Sequence, residues 1–220
     1  MRDTFANQFE SMRISIFLIA VCSAIFLSAC SDDEVKPQEF ALEQPDVFAE
    51  ADYQVYAAIL EHYDLGFYPL LQQTSNYTVA EENFTLFFNL SELQNMEENL
   101  YQKFLDVNVD QKLLDDKVAA EEQVIKLIPN QEFNFYFSED DEHRAWEAFS
   151  KSYPTSNYSL FMFSRIGMNE SQTQAIAAIH YYYGESVDWR YQTDEFGALV
   201  YLEKSDSGNW EVIKSTTFQK

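Results

Sequence analysis

The amino-acid sequence predicts an α+β fold, in which an antiparallel sheet packs with two or three helices on one of its faces. Four strand-like segments follow one another in the last third of the chain, with turn residues between them. Earlier segments repeat apolar residues at the spacing of amphipathic helices. Aromatic residues make up 16% of the chain, which is enough for a sizeable core. Helices and strands that are segregated along the chain are typical of the α+β class.

An uncharged, mostly apolar run at residues 14–29 follows Arg13. A basic residue, a short apolar core and small residues at its end are typical of a secretory signal peptide. The run has 16 residues, whereas a permanent membrane helix needs about 20. A membrane-anchor helix is therefore the weaker interpretation. The stretch at residues 1–11 includes two acidic residues and is longer than the start of such a signal needs, so we expect translation to start at Met12 rather than at Met1.

The end of that run, Leu27-Ser28-Ala29-Cys30, resembles the lipobox of bacterial lipoproteins. The resemblance implies cleavage before the cysteine, which then carries a diacylglycerol on its sulfur and a third acyl chain on its amino group. Two or more acyl chains hold a protein stably at a membrane. An ordinary signal peptide cut after Ala29 is the alternative. The predicted organisation is a signal peptide, a lipidated N-terminus with a tether, and a single α+β domain, at residues 1–29, 30–45 and 46–220.

The acidic stretch Ser31-Asp32-Asp33-Glu34 resembles the signal that sends lipoproteins of some Gram-negative bacteria to the cell surface. A polar, solvated tether is the plainer explanation of this stretch. We therefore expect attachment to the bacterial outer membrane, with the domain facing either the periplasm or the exterior.

The chain has a net charge of −23, and the mature chain keeps it because residues 1–29 contain two basic and two acidic residues. Nucleic acid is a poor partner, since its binding rests on phosphate neutralisation by Lys and Arg. Anionic headgroups would repel the domain, so the lipid at Cys30 must provide the membrane attachment. Cys22 lies in the signal, so the mature domain has no thiol for catalysis, disulfides or zinc binding.

The first half of the domain holds the less regular patterns. Asp46 is suited to cap an amphipathic helix that reaches about residue 60. The other predictions in this half are a strand, a helix, an ambiguous segment and two short strands, at residues 82–90, 91–104, 107–122, 123–128 and 132–137.

The second half of the domain has clearer helix-capping and turn signals. Asp140 or Asp141 is suited to cap a helix that Pro154 ends. Turn residues at 167–169 and 205–209 separate strands and make them an antiparallel meander. The four strands of this meander are predicted at residues 159–165, 173–183, 198–203 and 210–218.

Two regions of this half carry distinctive residues. They are Ser164-Arg165-Ile166-Gly167-Met168-Asn169 with Thr173-Gln174-Ala175, and Leu202-Glu203-Lys204 with Gly208-Asn209-Trp210-Glu211-Val212. Together they resemble a group of uncharacterised bacterial secreted proteins and lipoproteins, over about residues 146–213. The chain departs from the group at residues 181–184, where the group carries glycine and cysteine. The resemblance implies a fold and an envelope location, and no activity.

Arg165 and His180 are the candidate polar residues. Arg165 lies at the end of a predicted strand beside a turn, where it would clamp an anion. The alternative is that it pairs a structural carboxylate or caps a loop. His180 lies in a strand, and Glu185 or Asp188 would complete a base–carboxylate pair with it. A packed or surface histidine is the alternative there.

No metal site or cofactor is predicted. The three histidines are isolated, without HxH or HExxH spacing. Residues 106–110 begin like an EF-hand loop, but Gln111 and Lys117 stand where that loop needs Gly and Glu. No serine lies in a GxSxG sequence.

Aromatic residues around the end of the second meander strand are the most suggestive of ligand binding. They are Tyr181, Tyr182, Tyr183, Trp189 and Tyr191. Sugar rings stack on exposed aromatic side chains, whereas alternate tyrosines of a strand also serve as core. The candidate ligand-binding residues are Arg165, His180, Tyr181, Tyr183 and Trp189.

These patterns predict an envelope-anchored lipoprotein whose non-enzymatic domain binds a glycan or an envelope protein. The alternative is a hydrolase of envelope or extracellular glycans that uses paired carboxylates. The mature chain has so many acidic residues that candidate pairs always exist. Two carboxylates that converge in a cleft would favour the hydrolase.

Overall fold

The computed structural model describes residues 39–76, 95–118, 125–138, 141–184 and 196–219. Within it, Glu39–Lys220 forms one compact unit. The predicted signal peptide, Cys30, the strand predicted at 82–90 and the first residues of the helix predicted at 91–104 lie outside the described residues.

The described residues contain four α-helices and one sheet. The helices are α1 (Glu50–His62), α2 (Leu100–Val107), α3 (Asn130–Phe137) and α4 (Glu142–Ser152), with 3₁₀ turns at Asp116–Val118 and Pro154–Ser156. The strands are β1 (Leu70–Leu71), β2 (Leu127–Ile128), β3 (Ser159–Phe163), β4 (Gly167–Met168), β5 (Gln174–Tyr183), β6 (Phe196–Lys204) and β7 (Trp210–Gln219).

The sheet is mixed and has the strand order β2-β1-β3-β5-β6-β7. β1 runs parallel to its two neighbours, whereas the strands from β3 to β7 pair antiparallel. β3 and β4 lie end to end along β5. In the turn between β6 and β7, Gly208 has a φ of 87°, which only glycine adopts readily. The predicted α+β class and its antiparallel C-terminal meander are confirmed.

Helix α1 covers one face of the sheet. Its Tyr56, Ile59 and Leu60 are fully buried and belong to a core cluster with Phe163 of β3 and Val200 of β6. The Tyr56 ring stacks on the Phe163 ring with centroids 4.8 Å apart. Full burial of one large apolar side chain contributes about 1.5–3 kcal/mol, so α1 is a main source of stability.

Helices α2, α3 and α4 cover the opposite face. Phe104 of α2 packs with Ile176 of β5, and Phe149 of α4 packs with Leu160 of β3. The expectation that helices lie on one face only is therefore wrong. Its physical reason is visible in β5, whose middle residues from Ala175 to His180 are all buried. A strand that is covered on both faces lacks the polar alternation of a half-solvated strand.

Helix α1 begins later than predicted. Asp46 does not cap it, because its carboxylate accepts a hydrogen bond from the Leu113 amide at 2.9 Å and lies 3.3 Å from Lys112 Nζ. The N-cap is Ala49, whose amide donates to the carboxylate of Asp52 at 2.9 Å. A carboxylate in the first turn thus satisfies the helix start from within.

The segment at 132–137 is helical, so the strand predicted there is wrong. Its aromatic residues alternate in the sequence, which imitates a strand. In α3 the Phe133 and Phe137 rings instead meet across one helical turn, with centroids 5.0 Å apart. Phe137 also lies 4.8 Å from the Trp146 ring of α4. Packing between the two helices therefore overrides the local strand pattern.

Helix α4 agrees with its prediction. The carboxylate of Asp141 accepts a hydrogen bond from the Arg144 amide at 3.2 Å, as an N-cap does. Phe149 and Tyr153 follow one another on the buried side, and Pro154 starts a 3₁₀ turn. The Tyr153 hydroxyl donates to Glu132 of α3, which ties the two helices together.

The remaining boundaries in the first half shift. The helix predicted at 91–104 is α2, which ends at Val107. The ambiguous segment at 107–122 contains a 3₁₀ turn at Asp116–Val118, and the strand predicted at 123–128 is the two-residue β2.

Candidate ligand-binding site

A cavity of about 310 Å³ lies near the end of the sheet face that α1 covers. We call it the tyrosine cavity. Small-molecule sites begin at about this size and are lined mainly by apolar and aromatic side chains. The lining residues are Tyr63, Leu65, Tyr68, Ser159, Leu160, Phe161 and Tyr181.

The turn after α1 positions three of these side chains. The Leu65 amide donates to the Leu60 carbonyl at 3.0 Å, and the Asp64 amide donates to the Glu61 carbonyl at 3.3 Å. Asp64 has a φ of 54°. These are the bonds of a Schellman motif with a left-handed residue after the helix. The motif reverses the chain, so that Tyr63 and Leu65 face the sheet from the end of α1.

Strand register positions the other wall. Phe161 of β3 pairs with Tyr181 of β5, so both side chains leave the sheet on the face of α1. Burial raises the pKa of the Tyr181 phenol, and the neighbouring Tyr63 raises it further. Burial also raises the pKa of Tyr63, an effect that the Ser215 hydroxyl partly offsets. Both phenols therefore stay protonated at neutral pH and can donate hydrogen bonds.

None of the described residues that line the tyrosine cavity is charged, although the chain carries a net charge of −23. The apolar walls and phenol groups of the cavity are suited to a neutral ligand that presents a flat ring and hydrogen-bond acceptors. The described lining residues offer an anion no basic side chain.

The structure separates the predicted site residues. Tyr183 pairs with Ser159 and follows Tyr181 on the same face by the two-residue period of a strand. His180 is only 6% exposed and lies on the opposite face, between Ala178 and Tyr182. Three predicted residues, Trp189, Glu185 and Asp188, lie outside the described residues, as does Tyr191.

Tyr63 and Tyr68 are cavity residues that the sequence did not indicate as ligand-binding. Tyr63 falls on the spacing of the α1 core residues, and nothing local distinguishes it from them. The sequence offered one indication of this part of the cavity, the pair Gly66 and Pro69, which ends the helix and makes a turn between Tyr63 and Tyr68. Connecting segments of this kind often carry binding residues, and here both tyrosines are half-buried.

Arg165 makes hydrogen bonds that stabilise the fold. Its Nη1 donates to the Val107 carbonyl at the end of α2, at 2.6 Å. Its backbone is held by Asn108, whose Oδ1 accepts from the Arg165 amide at 2.8 Å and whose Nδ2 donates to the Arg165 carbonyl at 3.0 Å. A cation at the C-terminus of a helix stabilises the helix dipole. The guanidinium therefore caps α2, and it does not line the tyrosine cavity.

Replacement of Arg165 with alanine is expected to lower the free energy of unfolding by about 1–2 kcal/mol, because a charge-assisted bond to a helix end is lost. Urea denaturation measures this loss. Arg144→Ala is the matched control, since Arg144 is exposed and only pairs with Asp141 at 3.5 Å. That change should cost less than about 0.5 kcal/mol. Equal stability of both variants would contradict the capping role.

Other residues of the motif at 164–175 also hold the fold. Ser164 Oγ accepts from the Ala178 amide at 2.7 Å and donates to the Arg165 carbonyl at 2.9 Å. The Ser164 carbonyl accepts from the Tyr56 hydroxyl of α1 at 2.9 Å. Asn169 Oδ1 accepts from the Thr173 amide at 2.8 Å, which closes the β4–β5 turn. We call the interruption between β3 and β4 at Ser164 the serine bulge.

A second cavity, of about 480 Å³, lies between α1 and the β6–β7 turn. Among the described residues that line it, Glu61 alone is acidic. A pair of carboxyls that share a hydrogen bond occurs elsewhere, at Asp115 and Asp116. That bond lowers the pKa of Asp115 and raises the pKa of Asp116. Neither aspartate lines either of these cavities.

Within the described part of the chain, no group of three or more His, Cys, Asp and Glu side chains is placed to hold a metal ion. The helices of that part are all too short or too polar to span a bilayer. A comparison with known protein families, curated proteins and solved structures found no match for this chain.

Proposed function

We propose that this protein is a lipoprotein of the bacterial outer membrane, anchored through Cys30, whose domain binds a glycan in the tyrosine cavity without catalysis. The tyrosine cavity carries the proposal. It contains Tyr181, which the sequence pattern had selected, and adds Tyr63 and Tyr68 beside it. The lipobox at residues 27–30 supports the anchor. The domain faces the periplasm or the exterior.

The chemistry of the cavity favours a sugar over other small ligands. A sugar ring has an apolar face that packs on aromatic side chains, and its ring and acetamido oxygens accept hydrogen bonds from phenols. The protonated phenol of Tyr181 is suited to supply such a donor, whereas the hydroxyl of Tyr63 is buried and Tyr63 contributes its ring to the cavity wall. The volume of the tyrosine cavity, about 310 Å³, suits one or two sugar rings better than a long glycan chain.

A glycan array with the purified protein tests the ligand class, and a pair of variants tests the site. Tyr181→Phe removes a phenol from the cavity, whereas Tyr182→Phe removes one from the opposite face. Loss of one hydrogen bond should weaken glycan binding about fivefold in Tyr181→Phe only. If the protein bound no glycan on the array above background, the proposed ligand class would be wrong. If both variants lost affinity equally, the ligand would not bind in the tyrosine cavity.

The anchor has its own test, because it is independent of the ligand. Intact mass of the wild type should show a cysteine that carries three acyl chains, and Cys30→Ala should lose both the acylation and the membrane fraction. Protease treatment of intact cells then distinguishes an exterior domain, which is digested, from a periplasmic one, which is protected. A wild-type mass without acyl chains would contradict the lipobox.

The acid-residue hydrolase has less support than the binding domain. Two carboxylates about 5–9 Å apart across a cleft are needed for glycoside hydrolysis. Among the described residues, no carboxylate lines the tyrosine cavity and Glu61 alone lines the second cavity. Asp115 and Asp116 line neither cavity.

A further inference from the structure

Several apolar side chains are exposed along the first described segment and on the helix beside it. Leu42 is 46% exposed, Val47 is fully exposed, and Phe135 of α3 is 53% exposed. The Phe40 ring packs against the Phe135 ring with centroids 5.3 Å apart. The contact between Phe40 and Phe135 connects the segment at 39–48 to α3, and we call these four residues the N-terminal stripe. A group of exposed apolar side chains is a candidate interaction surface.

The stripe is held in a fixed position. The Glu43 amide donates to the side-chain oxygen of Gln72 at 3.0 Å, and Gln72 Nε2 donates back to the Glu43 carbonyl at 2.7 Å. Three residues later, the Asp46 amide donates to the Leu113 carbonyl at 2.9 Å, and the Asp46 carboxylate accepts from the Leu113 amide. Residues 39–45 belong to the predicted tether, yet the segment is bonded to the domain at Glu43, directly after Leu42, and at Asp46, directly before Val47.

The chain length to the predicted anchor limits where the stripe can lie. Eight residues, 31–38, separate Cys30 from Glu39. A fully extended chain of that length spans at most about 30 Å. If Cys30 is acylated, the beginning of the stripe therefore stays within about 30 Å of the acyl chains. The sheet edge at β7 lies four strand spacings of about 4.8 Å from β1, whereas Gln72, which holds the stripe segment, directly follows β1.

The negative charge of the chain limits the kind of lipid surface that the stripe can contact. The net charge of −23 disfavours an anionic surface. Within the stripe region, the Asp46 carboxylate is paired with Lys112 at 3.3 Å, and the Glu43 carboxylate accepts from the Asn130 amide at 3.3 Å. These partners reduce the repulsion between the stripe region and a lipid surface, and a zwitterionic surface has no net charge that would repel the domain.

We propose that the N-terminal stripe docks on the zwitterionic lipid surface in which Cys30 is anchored, so that the domain lies on the membrane in one orientation. The proposal rests on the proposed lipid anchor. Apolar side chains that enter the interfacial region add to the attachment that the acyl chains provide. Leu42, Val47 and Phe135 are the residues that enter it.

Single-cysteine labelling tests the docking, because the mature chain has no thiol other than the acylated Cys30. A fluorophore is attached at Leu42→Cys or Phe135→Cys in the lipidated protein, in phosphatidylcholine vesicles that contain brominated acyl chains. Ile213→Cys is the matched control, since Ile213 is 50% exposed on β7 at the other sheet edge. Bromolipid should remove about half of the emission at the two stripe positions and leave the control unchanged.

The same samples distinguish failure of the docking from failure of the anchor. Intact mass reports the acyl chains of each labelled protein. Acylated protein with equal quenching at Phe135→Cys and Ile213→Cys overturns the docking, whereas protein without acyl chains overturns the anchor. Val47→Cys provides another label site with a fully exposed side chain. Vesicles with anionic lipid should quench the stripe labels less than phosphatidylcholine does, and stronger quenching there would contradict the commitment to a zwitterionic surface.

Discussion

Phe149→Ala is expected to lower the free energy of unfolding by about 3–5 kcal/mol, the range for removing a buried phenylalanine. Phe149 is fully buried in α4. Its ring lies 5.8 Å from Trp146, 5.4 Å from Tyr136 and 4.8 Å from Tyr153, measured between centroids. These rings cannot all close on the space left behind, because they belong to two helices and a turn. The loss should therefore detach the layer of α3 and α4 from the sheet.

Urea denaturation followed by tryptophan fluorescence measures this loss, since Trp146 reports on the same cluster. Phe135→Ala is the matched control, because it removes the same side chain from α3 at a position that is largely exposed. We expect that change to cost less than about 1 kcal/mol. If the two variants lost equal stability, Phe149 would not be the centre of the cluster.

Gly167→Ala is expected to cost about 2–3 kcal/mol, through overpacking rather than a cavity. A Cβ atom at Gly167 would lie 2.5 Å from the backbone nitrogen of Phe104 and would also overlap its Cα. Backbone atoms cannot rotate away as a side chain can, so α2 has to move off β4. Amide hydrogen exchange of α2 should become faster as the helix shifts.

Gly208→Ala separates this steric effect from ordinary loss of a glycine. Gly208 has a positive φ, but no atom lies within 4 Å of a Cβ built there. Its substitution should cost about 1–2 kcal/mol through backbone strain alone, and exchange in α2 should stay unchanged. Faster exchange of α2 in both variants would mean that Gly167 has no special contact with Phe104.

Local signals predicted the C-terminal half of the fold well. Asp141 caps α4 and Pro154 follows its end, because both effects act within one turn of the chain. Gly208 marks the last hairpin for the same reason. The segment at 132–137 was predicted wrongly because its helix depends on α4, which begins only later in the chain. Contacts between distant segments have no local pattern from which they can be predicted.

The candidate site was likewise only partly predictable from local sequence patterns. Tyr181 stood out as part of a run of tyrosines, but its partner Tyr63 lies 118 positions earlier in the chain. The two meet only because the Schellman turn after α1 and the register of β3 with β5 bring them together. His180 was selected on the same run and faces the other side of the sheet, since neighbouring strand residues point in opposite directions.

The serine bulge joins elements on both sides of the sheet: Tyr56 of α1 bonds the Ser164 carbonyl, and Asn108 after α2 bonds Arg165. These bonds hold the helical layers of both faces to one point of the sheet. Ser164, Arg165 and Asn108 thus contribute to the fold, and none of them lines the tyrosine cavity. The proposed ligand would contact other residues, among them Tyr63, Tyr68 and Tyr181.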